Sequence, residues 1–173
     1  MNQQQKDDIL HISKGIHNEK LFFFEQIPSD KLENARESYA SFTSEEDVIL
    51  LYDDTVFGSA KDGFLLTSRR LYQKNMTELS RAVKLSNIED ITIKHRMLSS
   101  LMSVHSDEGI INIILTESSN GKNDKLLAVL KQIIQVLQSP GEAGRNTQVT
   151  QCRGCGAGFL PDQLFCEYCG GAL

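Results

Sequence analysis

The stretch that decides the fold is Gly63-Phe64-Leu65-Leu66-Thr67-Ser68-Arg69-Arg70-Leu71-Tyr72-Gln73-Lys74. Two short apolar runs flank a polar turn at Ser68-Arg69-Arg70, and this order is typical of a β-hairpin. Similar short runs recur on both sides of the hairpin, so the sequence predicts a series of strands.

Five further apolar runs bring the number of predicted strands to seven. They cover residues 48–52, 81–85, 88–94, 101–104 and 110–115. Seven short strands separated by polar turns predict a small antiparallel sandwich or barrel. A closing helix is predicted next, because a wide apolar stripe recurs at helical spacing. Its members are Leu126, Leu127, Leu130, Ile133, Ile134 and Leu137, and Asn123 or Asp124 is expected to cap it.

The segment before the first strand, residues 1–45, is predicted to be helical. Ile9, Ile12 and Ile16 recur at spacings of three and four, which marks one face of a helix. Ser29 is expected to cap a second helix behind Pro28. The apolar run at residues 21–24 is expected to dock on the main core.

The region 48–137 resembles the pleckstrin-homology-like (PH-like) fold. The segment 54–67 and the motif Thr67-Ser68-Arg69-Arg70-Leu71-Tyr72 are similar to the opening hairpin of bacterial PH-like and GRAM-like domains. The resemblance implies an α+β fold in which a seven-stranded antiparallel barrel is capped by a C-terminal helix. It also implies a binding module, and eukaryotic relatives of this fold bind phosphoinositides near the opening hairpins.

Four segments are therefore predicted. Residues 1–45 form an N-terminal helical extension, and residues 46–138 form the PH-like barrel with its capping helix. Residues 139–150 form a linker, because they are small and polar and contain Pro140 and Gly141. Residues 151–173 form a zinc ribbon.

All four cysteines of the chain fall in two C-x-x-C-G units, as Cys152, Cys155, Cys166 and Cys169. Two such turns can place four thiolates around one ion, so we predict a structural Zn²⁺ site. The segment resembles the short C-terminal zinc ribbons of bacterial and archaeal proteins. A rubredoxin-like iron site uses the same ligands, and disulfides would require an oxidising compartment. Four protein ligands leave no open position for a catalytic water.

Charge argues against a nucleic-acid partner. The chain has a net charge of −5, and the cysteine module contains a single basic residue, Arg153, whereas phosphate contacts require several. A local basic excess lies in residues 61–96, at Lys61, Arg69, Arg70, Lys74, Arg81, Lys84, Lys94 and Arg96. The polar N-terminus and short apolar runs predict a cytoplasmic protein without a transmembrane segment.

No catalytic motif stands out in the sequence. Asp53 and Asp54 follow a predicted strand, but adjacent strand residues point to opposite faces, which favours a turn over a phosphatase site. The histidines His11, His17, His95 and His105 are scattered. We therefore expect a non-enzymatic adaptor whose PH-like domain binds a protein partner. The alternatives are nucleic-acid binding through the ribbon and contact of the barrel with an anionic membrane surface.

Overall fold

The computed structural model describes residues 1–117 and 119–139, together with the pairs 150–151 and 158–159. The chain divides into two compact units, Met1–Ser139 and Pro140–Leu173. In the second unit, β9 (Thr150–Gln151) pairs antiparallel with β10 (Gly158–Phe159). The cysteines predicted to bind zinc lie outside the described residues.

The first unit combines three helices with two antiparallel sheets. Its elements in chain order are α1 (Gln3–Ser13), β1 (Leu21–Phe23), a 3-10 helix (Phe24–Gln26), α2 (Ser29–Ser38), β2 (Val48–Asp53), β3 (Gly63–Thr67), β4 (Arg70–Lys74), β5 (Arg81–Lys84), a second 3-10 helix (Leu85–Asn87), β6 (Ile88–His95), β7 (Ser100–Ser106), β8 (Gly109–Leu115) and α3 (Asn120–Gln138). One sheet has the strand order β1-β2-β3-β4-β5, and the other has the order β6-β7-β8.

The seven predicted strands are confirmed as β2 to β8, and the closing helix is confirmed as α3. The structure adds an eighth strand, β1, inside the segment predicted to be helical. Leu21 pairs with Tyr52 and Phe23 with Leu50, so the apolar run docks on the main core as expected and also extends the sheet. Among the described residues the two sheets share no hydrogen-bonded strand pair. The predicted seven-stranded barrel is therefore replaced by two sheets: β1 pairs with the edge of β2, and side chains of Asn75 and Asp54 bind at β8.

Strands β2, β3 and β4 are buried on both faces. On the inner face, Leu50, Phe64 and Leu71 join a core shared with the second sheet, α1 and α3. On the outer face, Leu51 and Leu65 pack with residues of α2 and the segment after it in a second cluster. Successive side chains of a strand alternate between faces, so near-continuous apolar runs fit strands covered on both sides.

Both expected helix caps differ from the structure. Helix α2 begins at Ser29 behind Pro28, and no side chain caps it. Helix α3 begins at Asn120, one turn earlier than expected. Asn123 is fully buried and donates to Ser100 Oγ (2.9 Å) and to the Glu117 carbonyl (2.8 Å). Its amide therefore ties the first turn of α3 to β7 instead of capping the helix.

Helix α3 packs against α1, β6 and β7. Its last residue, Gln138, donates to the carbonyls of Leu85 (2.6 Å) and Ile88 (2.9 Å), which fixes the helix end to the junction between the sheets. Within the described residues, no helix has the length and apolar character that a bilayer crossing requires.

Candidate functional site

Three loops of the first unit emerge at the same end of the two sheets. Gly63 pairs with both Asp53 and Lys74, so the β2–β3 loop (residues 54–62) and the β4–β5 loop (residues 75–80) leave the first sheet together. In the second sheet, Ser100 pairs with both His95 and Leu115. The β6–β7 loop (residues 96–99) therefore lies at the end of β8.

Side chains from the first two loops bind the edge of β8 and join the two sheets. Asn75 Nδ2 donates to the Asn112 carbonyl, and Asn75 Oδ1 accepts from the Ile114 N–H, both at 3.0 Å. Asp54 Oδ1 accepts from the Thr116 N–H (3.0 Å) and from the Thr116 hydroxyl (2.7 Å). These contacts take the place of a neighbouring strand, and they gather all three loops at one end of the unit.

Each of these loops exposes two large apolar side chains. The exposed fractions are 87% for Val56, 96% for Phe57, 77% for Met76, 88% for Leu79, 95% for Met97 and 79% for Leu98. We call these six residues the loop surface. Single exposed apolar side chains are normal on proteins, but a group of them at one end indicates an interaction site.

The tip that carries Phe57 is held by hydrogen bonds within its own loop. Asp53 Oδ1 accepts from the Thr55 N–H (3.0 Å), and Thr55 Oγ1 accepts from the Ser59 N–H (2.7 Å). Lys31 of α2 pairs with Asp53 at 2.5 Å and also donates to the Gly58 carbonyl. The loop thus presents Phe57 in a fixed position, which lowers the entropic cost of binding.

The two adjacent aspartates act on opposite sides of the loop, as the sequence predicts. Burial alone would raise the pKa of Asp53, but its bonds to Lys31 and Thr55 outweigh this and lower the pKa. For Asp54, burial prevails over the bonds to Thr116 and Lys20, so its pKa is raised. Both carboxylates form hydrogen bonds with other groups of the protein, so their role is to stabilise the loop end.

Exposed cations lie on the same loops or on the strand ends next to them. Lys61, Arg81, Lys94 and Arg96 are exposed, and they form no ion pair with the residues that the structure describes. The nearby acids have partners: Asp62 lies 3.6 Å from Lys74 Nζ, and Glu78 accepts from Asn75 at 2.8 Å. Lys74, which also belongs to the predicted basic excess, lies at this end of β4, and the other three residues (Arg69, Arg70 and Lys84) lie at the opposite ends of β4 and β5. The basic residues therefore form two groups.

The structure also brings together a histidine and a serine that the sequence left apart. His95 Nδ1 lies 2.9 Å from Ser100 Oγ, and His95 Nε2 lies 2.9 Å from Asp124 Oδ1. Ser100 is only 1% exposed, and its oxygen already accepts from Asn123. These bonds join the β6–β7 hairpin to α3. The buried Ser100 hydroxyl is inaccessible to a substrate.

Sequence reasoning missed the loop surface itself. Val56-Phe57 and Met97-Leu98 are apolar pairs within predicted turns, and such pairs are the signal that could have revealed it. In the described part of the chain, no cluster of three or more His, Cys, Asp or Glu side chains could hold a metal ion. Cys152, Cys155, Cys166 and Cys169 lie outside that part. No protein-family model matches the chain, and no curated protein matches it.

Proposed function

We propose that the chain is a non-catalytic interaction protein whose first unit docks through the loop surface on an anionic membrane. The observation that carries this proposal is the pair of exposed apolar side chains on each of three neighbouring loops, with four exposed cations beside them. Apolar tips can enter the boundary of the acyl chains, while lysine and arginine remain at the level of the headgroups.

The expected binding energy is sufficient for reversible attachment. Removing one large apolar side chain from water stabilises a complex by about 1.5–3 kcal/mol. Each basic residue near an anionic surface adds about 1 kcal/mol. Insertion of three of the six tips would therefore contribute about 5 kcal/mol before the four cations are counted.

A flat lipid surface fits these tips better than a protein groove does. Exposed fractions between 77% and 96% mean that the side chains protrude, and they stand on separate loops. The chain as a whole is acidic, with a net charge of −5, so the four exposed cations at the loop end would turn that end toward an anionic surface. A protein partner at the same surface is the rival proposal, and the vesicle experiment below distinguishes the two.

We assign the first unit to the PH-like class on the order of its elements. Four antiparallel strands (β2–β5) are followed by three (β6–β8) and by a closing helix, α3. In this assignment α1, β1 and α2 are additions: β1 extends the edge of the first sheet, α2 covers its outer face, and α1 packs on α3 and the inner core.

We further propose that Cys152, Cys155, Cys166 and Cys169 bind one structural Zn²⁺ in the second unit. The cysteine spacing supports this, and the paired strands β9 and β10 bracket the first two cysteines in the sequence. Thiolate ligands favour a reducing compartment such as the cytoplasm. The module would be a second interaction site of the adaptor, with nucleic acid as the less favoured partner.

Flotation with vesicles tests the membrane proposal. The full chain should float with phosphatidylcholine–phosphatidylglycerol vesicles and much less with pure phosphatidylcholine vesicles. Replacing Phe57 and Leu98 by serine together should reduce partitioning about tenfold or more, because two insertable side chains are lost.

Ile110→Ser is the matched control for the flotation experiment. Ile110 is 52% exposed, but it lies beside the β7–β8 turn, which is the other end of β8 from the loops. Its replacement should leave partitioning unchanged. Absence of flotation with anionic vesicles, or an equal loss in the control variant, would refute membrane docking and leave the protein partner as the function to test.

Metal analysis tests the proposal for the second unit. The purified chain should contain one zinc ion, and Cys155→Ser should lower the zinc content, because a structural site needs all four ligands. If the purified protein is coloured and contains iron, the rubredoxin-like iron site replaces the zinc site as the proposal. Cysteines paired as disulfides in protein purified without oxidation would contradict both metal proposals.

A further inference from the structure

A second candidate site lies at the opposite end of the first sheet from the loop surface. Arg70 begins β4 and Lys74 ends it, so the two ends are about 13 Å apart at a strand rise of about 3.3 Å per residue. A cleft of about 760 Å³ opens there between the β3–β4 turn, the end of β5 and the end of α3. Its volume lies in the range of small-molecule sites, roughly 300–1,000 Å³.

The walls of the cleft are fixed by hydrogen bonds. The Leu85 N–H donates to the Arg69 carbonyl at 2.9 Å, which joins the second 3-10 helix to the β3–β4 turn. Gln138 holds the end of α3 against the Leu85 carbonyl. On the other side, the Ser68 N–H donates to the Asp47 carbonyl (2.8 Å), and Ser68 Oγ accepts from the Asp47 N–H (3.1 Å). The cleft is therefore preformed.

Two cations in this cleft lie directly opposite each other. Arg70 and Lys84 are register partners across β4 and β5, so their side chains leave the same face of the sheet. Like charges at directly opposed positions destabilise a strand pair. An anion bound between them would remove this repulsion. Hydroxyl donors also line the cleft, on Thr43, Ser44, Ser68 and Ser86.

The acidic residues of the cleft have partners within the protein. Glu46 is buried, accepts from the Thr67 hydroxyl at 2.6 Å and lies 3.9 Å from the Arg70 guanidinium. Glu45 pairs with Arg69 at 3.1 Å, and both side chains are more than half exposed, so solvent screens that pair. Lys84 is exposed and has no ion-pair partner among the residues described. One cation therefore remains uncompensated.

We infer that this cleft binds a small molecule that carries a phosphate group, with Arg70 and Lys84 as its charged contacts. Arginine and lysine donors beside several hydroxyls suit the oxygens of a phosphate group. The apolar side chains of Leu85 and Leu137, which also line the cleft, would contact the remainder of the ligand. This inference does not depend on membrane docking, because the two surfaces share no residue.

Titration of the full chain with pyrophosphate, at constant ionic strength set with sodium chloride, tests the inference. Calorimetry should show saturable binding, and amide signals of residues around the cleft should shift in nuclear magnetic resonance spectra. Lys84→Gln should weaken pyrophosphate binding about tenfold or more. Lys84 makes no described contact that the fold requires, so this variant is expected to fold normally.

Arg81→Gln is the matched control for the titration. It removes the same charge from the same strand, but at the loop end of β5, and its affinity should stay within about twofold of the original value. Three results would overturn the inference: no saturable binding of pyrophosphate, equal weakening in the two variants, or tighter binding of citrate than of pyrophosphate. The last result would identify a carboxylate site.

Discussion

At the loop end of the first unit, Phe57 and Leu98 project into solvent beside exposed cations, whereas at the cleft end Arg69 and Arg70 face Glu45 and Glu46. The same strands supply both ends. Their inner and outer faces pack in two apolar clusters, so the chemistry differs at the strand ends and in the loops and turns that follow them. The contrast shows how one pair of sheets can carry two unrelated binding surfaces, one apolar and cationic, the other a polar cleft.

Gly63→Ala should have the largest effect on the loop end, because Gly63 begins β3 directly after the β2–β3 loop. Gly63 has φ +128°, and an added Cβ would lie 2.0 Å from the Tyr52 carbonyl oxygen. The Tyr52 carbonyl belongs to the backbone of β2, so it could move away from the added Cβ only if the β2–β3 pairing were broken. We expect a loss of about 4 kcal/mol or more of unfolding free energy, or no folded protein, measured by urea denaturation.

Gly109→Ala separates the clash from the backbone strain. Gly109 has φ +120° at the start of β8, but nothing lies within 4 Å of the added Cβ. It should cost only the strain of the left-handed region, about 1–3 kcal/mol. Equal losses in the two variants would mean that the close approach at Gly63 contributes nothing.

Asn75→Ala should have the next largest effect, because Asn75 joins the two sheets. Its removal leaves the partly buried N–H of Ile114 and carbonyl of Asn112 without this partner, which costs about 2 kcal/mol. Asn87→Ala is the comparison at the other end, since the Asn87 side chain bonds to the exposed side chains of Ser86 and Glu108. Its cost should be about 0.5 kcal/mol. A larger loss in Asn87→Ala would contradict the bracing role of Asn75.

The adjacent aspartates should respond to pH with opposite signs. The pKa of Asp53 is lowered below 3.8, so its contribution to stability is complete above pH 3.8 and is lost as pH falls through the folded-state pKa. The pKa of Asp54 is raised above 3.8, so its contribution decreases as pH rises from 3.8 through the folded-state pKa.

Urea denaturation between about pH 2 and pH 7 checks this difference. The stability of the unmodified protein relative to Asp53→Asn should increase with pH, and its stability relative to Asp54→Asn should decrease. Both variants preserve shape and remove the titration, so each serves as a control for the other. Slopes of the same sign would show that burial and ion pairing do not shift the pKa values of the two carboxylates in opposite directions.

The sequence predicted most of the fold, because strand order follows from short apolar runs and turns that are read locally. It missed β1, since three residues, Leu21–Phe23, are too few to show an alternating pattern, and their partner in β2 is distant in the chain. It also missed the loop surface and the cleft. The loop surface depends on the register of β8 against Asn75 and Asp54, which brings the loops to one end. The cleft depends on where the end of α3 is held against Leu85. The cysteine motif was apparent because its four ligands are grouped in one short segment.

Substitutions of the loop tips should have the smallest effect on stability. Phe57 is 96% exposed, so folding removes almost none of its surface from water, and Phe57→Ser should change the unfolding free energy by less than about 0.5 kcal/mol. Tyr52→Ser, at a fully buried apolar position of the adjoining strand, should cost at least about 3 kcal/mol. A loss above about 1 kcal/mol in Phe57→Ser would mean that the side chain packs on the unit in solution. If stability is unchanged while vesicle binding falls, the exposed phenyl ring serves binding and not folding.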